Sequence, residues 1–158
     1  MSSLDKKGSL DRDGNDWKSY TPIISSESGS WSNVTLTGFH RTVNGMLEVS
    51  FKVAFTGATT IVSQMYISIP PGLTMDTTNM AGGGGFDTDP AGFAILGDTG
   101  VISGVPGIIN TRTSTKVLVK YTDDDDAGKI VGKLLSNVNP WTWANGDTVL
   151  GRFTVPVV

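Results

Sequence analysis

The sequence predicts an all-β protein built from antiparallel strands in a sandwich-like arrangement, and three observations predict this class. Apolar and polar residues alternate with a period of two over most of the chain after Trp17, as in strands with one buried and one solvated face. Turn signals rich in Gly, Pro and Asn separate these stretches at short intervals. No stretch carries the apolar stripe of an amphipathic helix.

The clearest strand covers residues 47–55. Its odd-numbered residues from Leu47 to Phe55 are all apolar, whereas Glu48, Ser50 and Lys52 lie on the other face. Asn44-Gly45 comes directly before it, after a second alternating stretch at 39–43. Because Asn and Gly tolerate a positive φ, we expect a two-residue type I′ turn that joins the two stretches as a hairpin.

The remaining strands are shorter and are marked by their turns. Pro70-Pro71-Gly72 predicts the end of one strand, and Asn145-Gly146-Asp147 predicts the turn before the last one. Gly151, inside that last strand, predicts a bulge or the close approach of another backbone. Further strands are expected at 19–24, 32–37, 64–69, 93–96, 101–102, 116–121 and 148–157.

Composition divides the chain and excludes several protein classes. Residues 1–16 are polar and predict a linker or the truncated end of a preceding segment, and residues 17–158 form the domain. The absence of Cys excludes disulfides and Cys-bound zinc. No apolar run is long enough to insert into a membrane, and a net charge of -3 disfavours nucleic acid as a partner.

Few residues predict chemistry, so we expect neither an enzyme nor a cofactor or metal. The acidic run 123–126 lacks the spacing of an EF-hand, which favours a solvated hairpin loop over a calcium site. Asp87 and Asp89 could act as the acid and base of a glycosidase, but an Asp-Pro segment is more typical of a turn. His40 is the only His and fits a strand surface.

Aromatic residues could offer flat faces on which a sugar ring stacks. The alternative is a place in the core or at a subunit interface, which large aromatic side chains usually occupy. The residues in question are Trp31, Tyr66, Phe86, Trp141 and Trp143.

Two stretches of the chain carry a resemblance to a known family. The first is Trp17-Lys18-Ser19-Tyr20-Thr21-Pro22, and the second is 139–148 with its continuation at 153–157. With Ile69-Pro70-Pro71-Gly72-Leu73 between them, they resemble the "W-x-x-Y-T-P", "L-P-x-G-L" and "T-W-A-N-G-D … F-x-V-P" patterns of the C-terminal tip domain of bacteriophage tail fibres and tailspikes. The resemblance covers most of the chain from residue 17 onward, although the acidic run is not a feature of that family.

The resemblance implies a jelly-roll-like β-sandwich that forms a homotrimer at the distal end of a host-recognition fibre. It further implies a non-catalytic, extracellular part of a virion that binds a host cell-surface polysaccharide. A trimerisation cap without receptor contact, a glycan depolymerase and the carbohydrate-binding module of a secreted enzyme are the alternatives. Because glycines in the loop region 76–92 admit a ligand closely, we expect glycan contacts there at Phe86, Asp87 and Asp89, joined by Arg112.

Overall fold

The structure, a computed structural model, describes residues 16–80, 89–101, 103–125 and 127–158. Of the linker expected at 1–16, only Asp16 falls within these ranges. The glycine tract 81–85 and the predicted glycan contacts Phe86 and Asp87 lie outside the described residues.

The described residues form twelve strands, which confirms the all-β prediction. Apart from them, these ranges contain a single turn of 3₁₀ helix at Thr77–Asn79, and no helix in them is long and apolar enough to cross a bilayer. In chain order, the strands are β1 (Lys18–Tyr20), β2 (Ile24–Ser25), β3 (Ser28–Gly29), β4 (Val34–Val43), β5 (Met46–Phe55), β6 (Val62–Ser63), β7 (Met65–Ser68), β8 (Pro90–Asp98), β9 (Ser103–Thr113), β10 (Lys116–Asp124), β11 (Ile130–Leu134) and β12 (Thr148–Pro156).

Ten of the described strands pair into one antiparallel sheet that curls around the core. Nine of them follow the order β1-β4-β5-β12-β8-β9-β10-β7-β2, and β11 pairs with the second half of β10. The end strands β1 and β2 are consecutive in the chain and are joined by residues 21–23. The Tyr20 hydroxyl of β1 donates a hydrogen bond to the carbonyl of Ser68 in β7. The two ends of the sheet therefore lie close together, so the sheet is curled rather than flat.

The alternation predicted for residues 47–55 is confirmed. The odd-numbered residues of β5 are buried in the core, and Lys52 on the opposite face is exposed. Asn44 and Gly45 have φ angles of 51° and 76°, and Val43 pairs directly with Met46. These values are those of the predicted two-residue type I′ turn.

The structure differs from the sequence prediction at β9, β11 and Gly151. Strands β9 and β11 were not predicted, and Val101 lies in the turn before β9 rather than in a strand. The pairing of β12 with β5 continues without interruption through Gly151, so the predicted bulge is wrong. The glycine is needed because a Cβ there would overlap the ring of Phe51. The close neighbour of Gly151 is thus a side chain and not the predicted backbone.

Candidate functional site

Asp89, one of the predicted glycan contacts, is almost enclosed. It is 5% exposed and lines a pocket of about 200 Å³ with the polar residues Asn79, Thr111 and Thr154. Its carbonyl accepts a hydrogen bond of 3.0 Å from the amide of Thr111. Strand β9 therefore brings Arg112, the next residue, close to Asp89 along the backbone.

The Arg112 guanidinium packs against Tyr66. Its central carbon lies 5.5 Å from the centroid of the ring, and the Lys116 ammonium lies 4.4 Å from the same centroid. The Tyr66 hydroxyl donates to Glu27 Oε2 at 2.8 Å, and Arg112 Nη2 lies 3.7 Å from that oxygen. Burial and this hydrogen bond raise the pKa of the Tyr66 hydroxyl. Arg112 and Lys116 therefore pack against the Tyr66 ring, one of the aromatic rings that the sequence suggested for stacking on a sugar.

Of the tryptophans considered for sugar stacking, Trp31 and Trp143 lie in the core and Trp141 packs against it, in agreement with the second of the two interpretations. Trp31 and Trp143 are buried, and their rings meet edge to face. Phe55 stacks on Trp143 with ring centroids 4.4 Å apart. Trp141 is half-buried and packs on Trp143. The rings of Trp31 and Trp143 therefore have no free face for stacking on a sugar.

The Trp-Ala-Asn-Gly-Asp segment at 143–147 is built around the Asp147 carboxylate, which is 1% exposed. Its Oδ1 accepts hydrogen bonds from the amide and hydroxyl of Thr99, at 3.0 and 3.1 Å. Its Oδ2 accepts from the Trp141 indole at 3.2 Å and from the Ala144 amide at 2.8 Å. The segment that most strongly carries the family resemblance therefore has a structural role in this chain.

The described part of the acidic run covers the end of β10, at Asp123 and Asp124, and the start of the hairpin loop to β11, at Asp125, which agrees with the hairpin that the sequence favoured. Asp126 lies outside the described residues. Asp125 Oδ1 accepts hydrogen bonds from the amides of Ala127 and Lys129, which closes the turn. Asp123 pairs with Lys133 at 2.6 Å, and that hydrogen bond lowers the pKa of the Asp123 carboxyl group and raises the pKa of the Lys133 ammonium. In the ranges that the structure describes, no three acidic, His or Cys side chains converge as metal ligands.

The outer face of the curled sheet carries an open groove of about 420 Å³ that the sequence analysis did not predict. Phe39 of β4 and Phe93 of β8 line it and are 51% and 60% exposed. Between them lie β5 and β12, which contribute Ser50, Lys52 and Arg152 to the same lining. The groove thus combines two accessible aromatic rings, small hydroxyl groups and two cations on paired strands.

The chain was compared with protein-family models, with curated proteins and with solved structures, and none of the three comparisons found a match. The geometry of the groove and of the Asp89 pocket is therefore the basis on which a function is proposed.

Proposed function

We propose that this chain is a non-catalytic host-recognition domain, at the tip of a bacteriophage tail fibre or tailspike, that binds a cell-surface glycan as a homotrimer with a jelly-roll-like sandwich fold. The outer-face groove is the observation that carries this proposal. A sugar ring presents an apolar C–H face that stacks on an aromatic ring, and Phe39 and Phe93 offer such faces on rigid, paired strands. The residue patterns described above support the assignment to a phage fibre tip.

The chemistry of the groove supports binding rather than cleavage. Hydrolysis of a glycosidic bond needs a pair of carboxyl groups that flank it. The described residues that line the groove include neither a carboxylate nor a His. The Asp89 pocket contributes a single described carboxyl group that is nearly enclosed. Among the described residues, neither site therefore has the two carboxyl groups that would cleave a bound sugar.

A trimer would compensate for the weak binding expected of an open groove. Three copies on one fibre raise the effective concentration of each site once the first has bound. Burial between copies would also stabilise a domain that has no disulfides. Both arguments favour an assembled fibre tip over a single copy.

We expect the fluorescently labelled chain to bind cells of particular bacterial strains, and we expect periodate treatment of those cells to abolish the binding. Periodate cleaves the vicinal diols of sugars and leaves most protein receptors intact. Protease-treated cells are the control and should bind as before. Loss of binding after protease alone would indicate a protein receptor, and the absence of binding to a broad strain panel would contradict host recognition.

A second candidate function, an assembly cap without receptor contact, is favoured by strand β11. Among the described strands, β11 pairs with β10 alone, which leaves its other edge open. Ile130 and Leu134 on this strand are 81% and 46% exposed. Open edges with exposed apolar residues are prone to pair with another chain, so this edge is our candidate for the contact between copies.

For the trimer contact we expect Leu134→Glu to shift the mass measured by sedimentation velocity from trimer to monomer, because a charge would be buried between copies. The matched control is Leu150→Glu, since Leu150 has the same exposed fraction, 46%, but lies in the groove. A variant that remains a trimer would place the contact elsewhere. A wild-type chain that sediments as a monomer would contradict the trimer itself.

A further inference from the structure

The strand register places the groove residues in two parallel rows across four strands. In the first row, Phe39 pairs with Ser50, Ser50 with Arg152, and Arg152 with Phe93. In the second row, Thr37 pairs with Lys52, Lys52 with Leu150, and Leu150 with Ile95. Directly paired residues point to the same face of a sheet. All eight side chains therefore project outward.

The spacing of the two aromatic rings suits an extended ligand. Phe39 and Phe93 are separated by three strand spacings, which corresponds to about 14 Å along the sheet. Between the two rings, the lining includes the small residues Ser50 and Gly151 beside Arg152. Such a groove accommodates a chain of sugars lying across the strands, with a ring at each end available for stacking.

The charge of the groove is opposite to that of the protein. The whole chain has a net charge of -3, but the described lining contributes the cations Lys52 and Arg152 and no acid. Among the described residues, neither cation has an ion-pair partner. Glu48, which lies two residues from Ser50 on the same face, is held by Arg41 at 2.7 Å. Two exposed positive charges are therefore available to a ligand.

Three groups that recognise a carboxylated sugar are thus adjacent. Aromatic rings stack on its C–H face, Ser and Thr hydroxyls bond its hydroxyls, and Lys and Arg bind its carboxylate. A second copy docked through the same face about a two-fold axis would place Lys52 and Arg152 near their own symmetry mates. Like charges that meet in this way oppose association. The cations therefore favour an anionic ligand over a copy of this chain.

We propose that the outer-face groove binds an acidic polysaccharide, with Lys52 and Arg152 holding the sugar carboxylates and Phe39 and Phe93 stacking on the rings. This inference rests on the proposed function, because it names the class of glycan that the domain recognises. It assigns specificity to four residues, of which sequence reasoning predicted none as a glycan contact.

The test is titration calorimetry of the full chain with oligomers of galacturonic, guluronic and sialic acid. Each oligomer is paired with its carboxyl-reduced form, which keeps the sugar but removes the charge. We expect at least one acidic oligomer to bind. The affinity of its reduced form should be lower by about tenfold or more. The affinity should also fall as the salt concentration rises.

The variant Lys52→Gln with Arg152→Gln should weaken binding of the acidic oligomer about tenfold or more and leave the fold unchanged, because both side chains are exposed. The matched control is Lys18→Gln with Lys129→Gln, which removes the same charge from exposed positions outside the groove lining. Phe93→Ala should weaken binding of the acidic oligomer as well, whereas the control should bind like the wild type.

The outcomes separate this inference from the proposed function. If no acidic oligomer binds, or if the reduced forms bind equally well, the inference is overturned, and the periodate experiment still decides whether the domain binds a glycan. If the groove variants keep full affinity, the ligand lies elsewhere. If they change the sedimenting mass instead of the affinity, the groove is an interface between copies.

Discussion

Trp143→Ala is expected to lower the free energy of unfolding by about 3–5 kcal/mol, as is typical when a fully buried aromatic residue is truncated. Trp143 has no exposed surface and lies between the stacked ring of Phe55 and the edge of Trp31. Its indole N–H donates to the carbonyl of Ser136 at 2.8 Å. The substitution removes these contacts together and leaves a cavity where three parts of the chain meet.

The measurement is the urea midpoint of the far-ultraviolet circular dichroism signal. Trp143→Phe is the informative companion, because it keeps an aromatic ring against Phe55 but leaves the Ser136 carbonyl without its donor. We expect it to lose about 1–3 kcal/mol, and thus to remain measurable if the Ala variant does not fold. A loss below about 1 kcal/mol for the Ala variant would contradict the role assigned to this side chain.

The fold was predictable where only one face of a strand is apolar. Strand β5 alternates strictly because its inner face packs in the core and its outer face meets solvent. The Asn44-Gly45 turn was predictable because few other residue pairs accept two positive φ angles. In both cases the local sequence alone decides the structure.

Strand β9 could not be predicted because its residues are those of a loop. Gly104, Pro106 and Gly107 all lie within it, and proline is rare inside a sheet. Gly107 is required by the fold, because a Cβ there would press against the Lys120 carbonyl of β10 and the Leu96 side chain of β8. That requirement arises only once neighbouring strands are in place, so a local pattern does not reveal it.

The groove was missed for a related reason. Along β8 both faces are apolar, and the larger Phe93 and Ile95 lie outside while Ala94 and Leu96 lie in the core. On β4, Phe39 is exposed and the neighbouring Gly38 faces inward, where Tyr20 and Pro22 fill the space that a side chain would need. From their size and hydrophobicity, Phe39, Phe93 and Ile95 would have been predicted to face the core rather than solvent. The groove could have been predicted only from the strand pairing, which places Phe39 and Phe93 beside Ser50, Lys52 and Arg152.

The fold and the proposed recognition therefore depend on different sets of residues. The segment that resembles phage fibre tips acts through its buried side chains, Trp143 and Asp147. The proposed glycan contacts are outward residues of β4, β5, β8 and β12 that do not pack in the core. Outward positions of this kind can change without loss of the fold, which suits the glycan recognition that we propose for this face.

Asp147→Ala is expected to lower the free energy of unfolding by about 3 kcal/mol, because buried donors would lose their acceptor. The four hydrogen bonds that the carboxylate accepts come from Thr99, Trp141 and Ala144. Its backbone adds a fifth link, in which the Phe55 amide donates to the Asp147 carbonyl at 2.9 Å. One residue thus joins the turn after β8, the Trp141 loop and the end of β5.

Asp147→Asn distinguishes the loss of hydrogen bonds from the loss of volume. The amide keeps the size of the side chain but turns an NH₂ group toward donors that need an acceptor, so we expect a loss of about 2 kcal/mol. Asp98→Asn is the matched control, since the half-buried Asp98 carboxylate accepts only the Gly100 amide among the described hydrogen bonds. It should lose less than about 1 kcal/mol in the same urea titration. If Asp147→Asn were as mild as this control, the carboxylate would only fill space, and the Asn-Gly-Asp turn would be held by its backbone alone.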